Sequence, residues 1–160
     1  MISNQKELKK LNPNLDEDHK REKTPLFFSQ EKKDEIYCLA YTLYKHQRYQ
    51  DAAIFFRLLI SSFPYERKGW KGLGASMQMQ QDYHEALDCY CVCANFDDDR
   101  VQDPYLYTQS ADCYFALQQI EMGLKALKIA QSIAAKTGDQ RVLKHVTFMQ
   151  QVWKKQVYHE

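Results

Sequence analysis

The chain has 160 residues, and 22 Lys and Arg against 21 Asp and Glu give a formal net charge of +1. That is one domain's worth of polypeptide with no global field for nucleic acid or an acidic lipid surface, and no run of about 18 apolar residues that could cross a bilayer. Five cysteines without a Cys-x-x-Cys pair, behind the polar start Met1-Ile2-Ser3-Asn4-Gln5-Lys6-Glu7, point to free thiols in a reducing cytosol and to a protein that stays where it is made.

Residues 1–24 are dominated by Lys, Glu, Asp and Asn with few apolar anchors, the composition of a disordered tail. Thr24-Pro25 marks its end. Leu26, Phe27 and Phe28 then stand directly before a helix start, with Ser29 as N-cap and Glu31 in the first turn. The apolar triplet suits a cap over the first repeat or a dimer contact, and the two uses are compatible.

The first helix is expected from about Gln30 to His46. Ile36, Leu39, Ala40 and Leu43 form its packing stripe, facing a second helix from about Tyr49 to Phe63. Beside that stripe run Tyr37, Tyr41 and Tyr44 at i, i+4 and i+7. A helix with two apolar faces is buried on both or offers one to a ligand. Either the tyrosines pack between repeats or they line a groove, where a rigid ring and a hydroxyl suit an extended peptide.

The third helix, about Arg67 to Gln80, contains Trp70-Lys71-Gly72-Leu73-Gly74-Ala75, and its partner, about Tyr83 to Phe96, contains Ala86 and Tyr90. A large residue, then Leu, then Gly, with a small residue twelve further on, is the core of a tetratricopeptide helix pair. Moved back by 34 residues, the pattern falls on Ile36, Leu39, Ala40, Ala52 and Phe56; moved forward by 37 it falls on Ala111, Tyr114, Gly123 and Leu127. The three extra residues belong in the turn-rich run from Asp97 to Pro104. In stacked helix pairs the first helix of each lines the concave surface. Lys68, Lys71, Ala75, Gln78 and Met79 are therefore expected in the groove, the lysines either solvated or on the ligand. Cys89 and Cys93 share a face and Cys91 points elsewhere; with no His at ligand spacing they read as buried structural thiols, and neither metal nor cofactor is expected.

In the third unit Pro104 suits a first helical turn. Leu106, Tyr107, Ala111 and Tyr114 are packing positions, and Tyr105, Thr108, Asp112 and Phe115 should face the groove. Asp112 would bond a ligand amide or pair with Lys71 or Lys68. Gly138 ends the unit. A last helix, about Asp139 to Lys155, repeats Val142, Val146, Met149 and Trp153 and covers the open end. The expected fold is all-α: three tetratricopeptide helix pairs (about 33–66, 67–100 and 104–137) forming a right-handed superhelical cradle with a C-terminal capping helix (about 139–155), all within residues 25–155. No phosphate loop, His-Glu-x-x-His or Gly-x-Ser-x-Gly is present, and the five histidines lie on the tail, helix ends or exposed positions, so no enzyme is expected.

Four segments carry a narrower likeness: Tyr37-Cys38-Leu39-Ala40-Tyr41-Thr42-Leu43-Tyr44, Arg48-Tyr49-Gln50-Asp51-Ala52, Phe56-Arg57-Leu58-Leu59 and Gly69-Trp70-Lys71-Gly72-Leu73-Gly74-Ala75. With the run from Asp103-Pro104 to Ala116, they make the chain resemble the type III secretion chaperones of the translocator class, the LcrH/SycD family, over roughly residues 26–137. The resemblance implies a small protein of the bacterial cytoplasm that keeps pore-forming, hydrophobic translocators from aggregating before export. It implies an extended Pro- and Leu-containing client segment in a groove of Tyr37, Tyr41, Tyr44, Lys71, Ala75, Gln78, Tyr105, Thr108 and Asp112. It also implies a possible homodimer through Leu26, Phe27 and Phe28. The chain departs from the family pattern at Gln47-Arg48-Tyr49, where Gly usually precedes the basic residue, and at Asp97-Asp98-Asp99-Arg100. Two other readings are an adaptor for acidic C-terminal tails and a scaffold of the secretion machinery. The adaptor needs a Lys, Asn and Arg clamp; Tyr37, Tyr41, Gly72, Tyr105 and Gln109 stand at those positions instead.

Overall fold

The computed structural model describes residues 28–96 and 102–157, without the side chains of residues 156 and 157. The expected tail, Leu26, Phe27 and the loop at residues 97–101 lie outside the described residues. Within them the chain forms α1 (Gln30–Lys45), α2 (Tyr49–Ser62), α3 (Arg67–Met79), α4 (Tyr83–Ala94), α5 (Pro104–Ala116), α6 (Ile120–Thr137) and α7 (Gln140–Val157).

Short polar side chains start several of these helices by accepting from otherwise orphaned N–H groups. Ser29 accepts from the Lys32 amide, Asp82 from Glu85, Asp103 from Tyr105 and Asp139 from Arg141 and Val142. The two helices of each pair are joined by the same turn. The Arg48 amide donates to the Leu43 carbonyl and the Gln47 amide to Tyr44; Asp82 and Gln81 repeat this on Met77 and Gln78, and Gln119 and Gln118 on Tyr114 and Phe115. This is the Schellman arrangement, whose penultimate residue is left-handed. Here that residue is Gln47, Gln81 or Gln118, with φ of 60°, 65° and 60°.

Each helix packs on the next, and α1 also meets α3, α3 meets α5 and α5 meets α7. The first helices of the pairs thus stand side by side as one wall. Small residues set the spacing: Ala40, Ala52, Ala86 and Ala111 are buried, and a Cβ on Gly74 would lie 2.6 Å from the Tyr90 ring. One cluster, including Ile36, Phe56, Leu59, Leu73, Tyr90 and Leu106, spans the first two pairs and the start of the third. A second, including Phe115, Leu127, Val142 and Val146, joins the third pair to α7. There the Trp153 ring stacks on Phe115 at 4.3 Å between centroids.

Leu39 and Phe115 are among the positions that differ from expectation. Leu39, assigned to the packing stripe, is 45 % exposed, because α1 is the first described helix and nothing among the described residues lies where α2 lies against α3. Phe115, assigned to the groove, is buried because Trp153 of α7 covers it. Phe28 packs half-buried on the first cluster, as a cap over the first pair would.

Candidate functional site

The wall of first helices bears a recess of about 380 Å³. Tyr37, Tyr41 and Tyr44 line it from α1, Arg67, Lys68, Lys71, Gly72 and Ala75 from α3, and Gln109 from α5, with Phe56 of α2 also in the lining. Gly72 is what brings Phe56 there: a Cβ at this position would sit 2.3 Å from the Phe56 ring. Glycine in a helix interior costs about 1 kcal/mol relative to alanine, so its use signals a close approach.

The tyrosines form one surface. Tyr37 and Tyr41 stack with centroids 6.1 Å apart and planes 9° apart, and Tyr37 meets the edge of Phe56 at 6.2 Å. Burial pushes the Tyr37 and Tyr44 phenols above their ordinary value, with the neighbouring phenols adding to it. Both therefore stay neutral O–H donors at neutral pH. Lysines stand over two of the rings, Lys68 at 5.6 Å from the centre of Tyr37 and Lys45 at 6.0 Å from that of Tyr41, within cation–π range. Lys71 pairs with Asp103, whose other carboxylate oxygen caps α5.

Five of the nine expected groove residues, Tyr37, Tyr41, Tyr44, Lys71 and Ala75, come together in this recess. The other four do not line it. The Gln78 Oε1 accepts from the Tyr90 hydroxyl at 2.7 Å, which turns the amide toward α4. Thr108 is 6 % exposed, and its hydroxyl donates back to the Tyr105 carbonyl on its own helix. Tyr105 is exposed, in a separate shallow recess with Arg67, Asp103 and Asp139. Asp112 takes neither Lys71, which is held by Asp103, nor Lys68; burial raises its carboxyl above the ordinary range, and His145 on α7 only partly offsets this.

Residues 34–61 and 68–99 match the family model for the tetratricopeptide repeat. The chain is 28% identical over 130 residues to low calcium response locus protein H of Yersinia pestis, covering 79% of this chain and 76% of that protein. A type III secretion complex from Aeromonas hydrophila superposes with a TM-score of 0.77 at 25% identity, over 82% of this chain and 87% of that one. The Yersinia enterocolitica type III secretion chaperone SycD, crystallised with a peptide of the translocator YopD, superposes with a TM-score of 0.73 at 26% identity, over 80% and 96%. The chain belongs to the LcrH/SycD family of type III secretion translocator chaperones.

The repeat position shared by Tyr44, Gln78 and Phe115 changes role along the wall. It opens into the recess in the first pair, bonds Tyr90 in the second and is covered by Trp153 in the third. Sequence reading left Phe56 and Arg67 out of the lining, and it placed Gly72 and Gln109 on the wall only as the positions where an adaptor's clamp would stand. Cys89, Cys93 and Cys113 are buried, whereas Cys38 and Cys91 are exposed. Among the described residues no group of three or more His, Cys, Asp or Glu could hold a metal ion, and no helix is long and apolar enough to cross a membrane.

Proposed function

We propose that this chain works by binding alone, as a chaperone of the bacterial cytoplasm that holds an extended segment of a hydrophobic translocator and keeps it from aggregating before export. The observation that carries this reading is the aromatic recess, where Tyr37, Tyr41 and Tyr44 converge with Lys71 and Ala75 over Phe56. Apolar side chains of the segment, Pro and Leu above all, fill the spaces between the rings; Ala75 leaves room for the backbone. The relative SycD, crystallised with a YopD peptide, lends the same support from outside the chain. Tyr105 and Asp112 contact the segment only where it runs past the recess toward α7.

The test is Tyr41→Ala. Tyr41 is 49 % exposed and belongs to no core cluster, so its loss leaves the fold in place. Truncating one aromatic anchor costs about 2 kcal/mol, or about 30-fold in Kd. We expect that loss against the translocator that co-purifies with this chain, by titration, with helicity by circular dichroism unchanged. Wild-type affinity in a normally helical variant would remove the recess as the binding site.

A further inference from the structure

Gln109 reaches the recess from α5, opposite the tyrosines of α1. Its Oε1 is buried and accepts no hydrogen bond among the described residues. Three other polar groups expected on the same wall are occupied: Lys71 by Asp103, Gln78 by Tyr90 and Thr108 by its own helix. A buried acceptor left without a donor costs about 1–3 kcal/mol. Its neighbours on α3, Lys68 and Lys71, offer donors only. They can serve carbonyls of a bound strand but not its N–H groups, which also lose water on entering the recess and need acceptors of their own.

We propose that Gln109 is the main-chain reader of this site, its Oε1 accepting a hydrogen bond from one backbone N–H of the extended segment. The inference rests on the chaperone reading above and adds to it a polar contact that recognises peptide backbone rather than side chain. The terminal torsion of a glutamine amide is soft, so a modest rotation carries the oxygen from the wall to the arriving strand. The contact sets the segment's register against the aromatic rings without demanding a particular residue, which suits a chaperone for more than one client sequence.

The experiment uses the full chain and a fluorescein-labelled synthetic peptide, the tightest binder from overlapping peptides that tile the co-purifying translocator. Gln109→Met keeps the length of the side chain and removes the acceptor. We expect its free form to melt above wild type, because an unpaired buried oxygen is gone, and its peptide affinity to fall about five- to tenfold. The peptide is then N-methylated at one position at a time. At one position the methyl group should weaken wild type but not Gln109→Met, a coupling confined to a single N–H. Gln109→Glu, which retains acceptor oxygens, should retain the coupling. Unchanged affinity in Gln109→Met, or an equal penalty in both proteins at every methylated position, overturns the assignment. Tyr41→Ala measured beside it separates the two claims. If Tyr41→Ala weakens binding and Gln109→Met does not, only the Gln109 role fails; if neither does, the recess itself is wrong.

Discussion

The five thiols differ by burial, and burial sets their chemistry. The thiolate is the reactive form, and desolvation pushes Cys89 and Cys113 up to about 12. Cys38 and Cys91 are exposed. Iodoacetamide at neutral pH is therefore expected to label Cys38 and Cys91 in the folded protein, and Cys89, Cys93 and Cys113 only after denaturant is added. Peptide mass spectrometry reads this directly, and fast native labelling of Cys89 would contradict its placement in the core. Asp112 makes a prediction of opposite sign to most carboxylates. Its folded-state value is raised above 3.8. Its contribution to stability is thus present below that ordinary value and is lost as pH rises through the higher folded one. At neutral pH the charge is a cost that His145 does not cancel. Asp112→Asn should raise the melting temperature at pH 7, with the gain shrinking to nothing at pH values below the ordinary carboxylate range; melting curves across pH check it, and a lower melting temperature at pH 7 would contradict it.

The helix-pair turn is where this chain carries backbone strain. A left-handed non-glycine residue costs about 1–2 kcal/mol, and glycine in its place gives back part of that through its greater freedom when unfolded. Gln118→Gly is expected to stabilise by about 0.5–1 kcal/mol, read from the midpoint of urea unfolding at constant slope. A loss instead would mean that the glutamine side chain holds the turn. The departure from the usual Gly at Gln47 was visible in the sequence, but its threefold repetition as a left-handed residue was not, because backbone angle is not written in side-chain type. Helix ends were legible to within about two residues, since Ser29, Pro104 and Gly138 are strong start and stop signals. The tyrosine stripe was legible from its spacing. Thr108 was not, being buried with its hydroxyl turned back on its own helix. Phe115 was not either, because its exposure is decided by what lies over α5, and the position of α7 is a tertiary fact. Gln78 was misjudged for the same reason, since Tyr90 reaches it from another helix.

At the scale of the whole chain the protein is a short stack in which each helix pair leans on the next. The second core cluster depends on Trp153 stacked against Phe115, and no described helix follows α7 to back it up. Trp153→Ala is expected to cost about 3 kcal/mol. Hydrogen exchange should speed up chiefly in α5, α6 and α7, leaving α1 and α2 closer to wild type. Equal acceleration in all helices would mean one indivisible cooperative unit. Asp103 adds a consequence in time. A ribosome delivers the three tyrosines, Phe56 and Ala75 before Asp103, so a nascent chain carries most of the receptor while the Lys71 ammonium still waits for its counter-ion. Cargo arriving during translation meets a differently charged and unfinished receptor, and maturity comes only when the last helix pair has emerged.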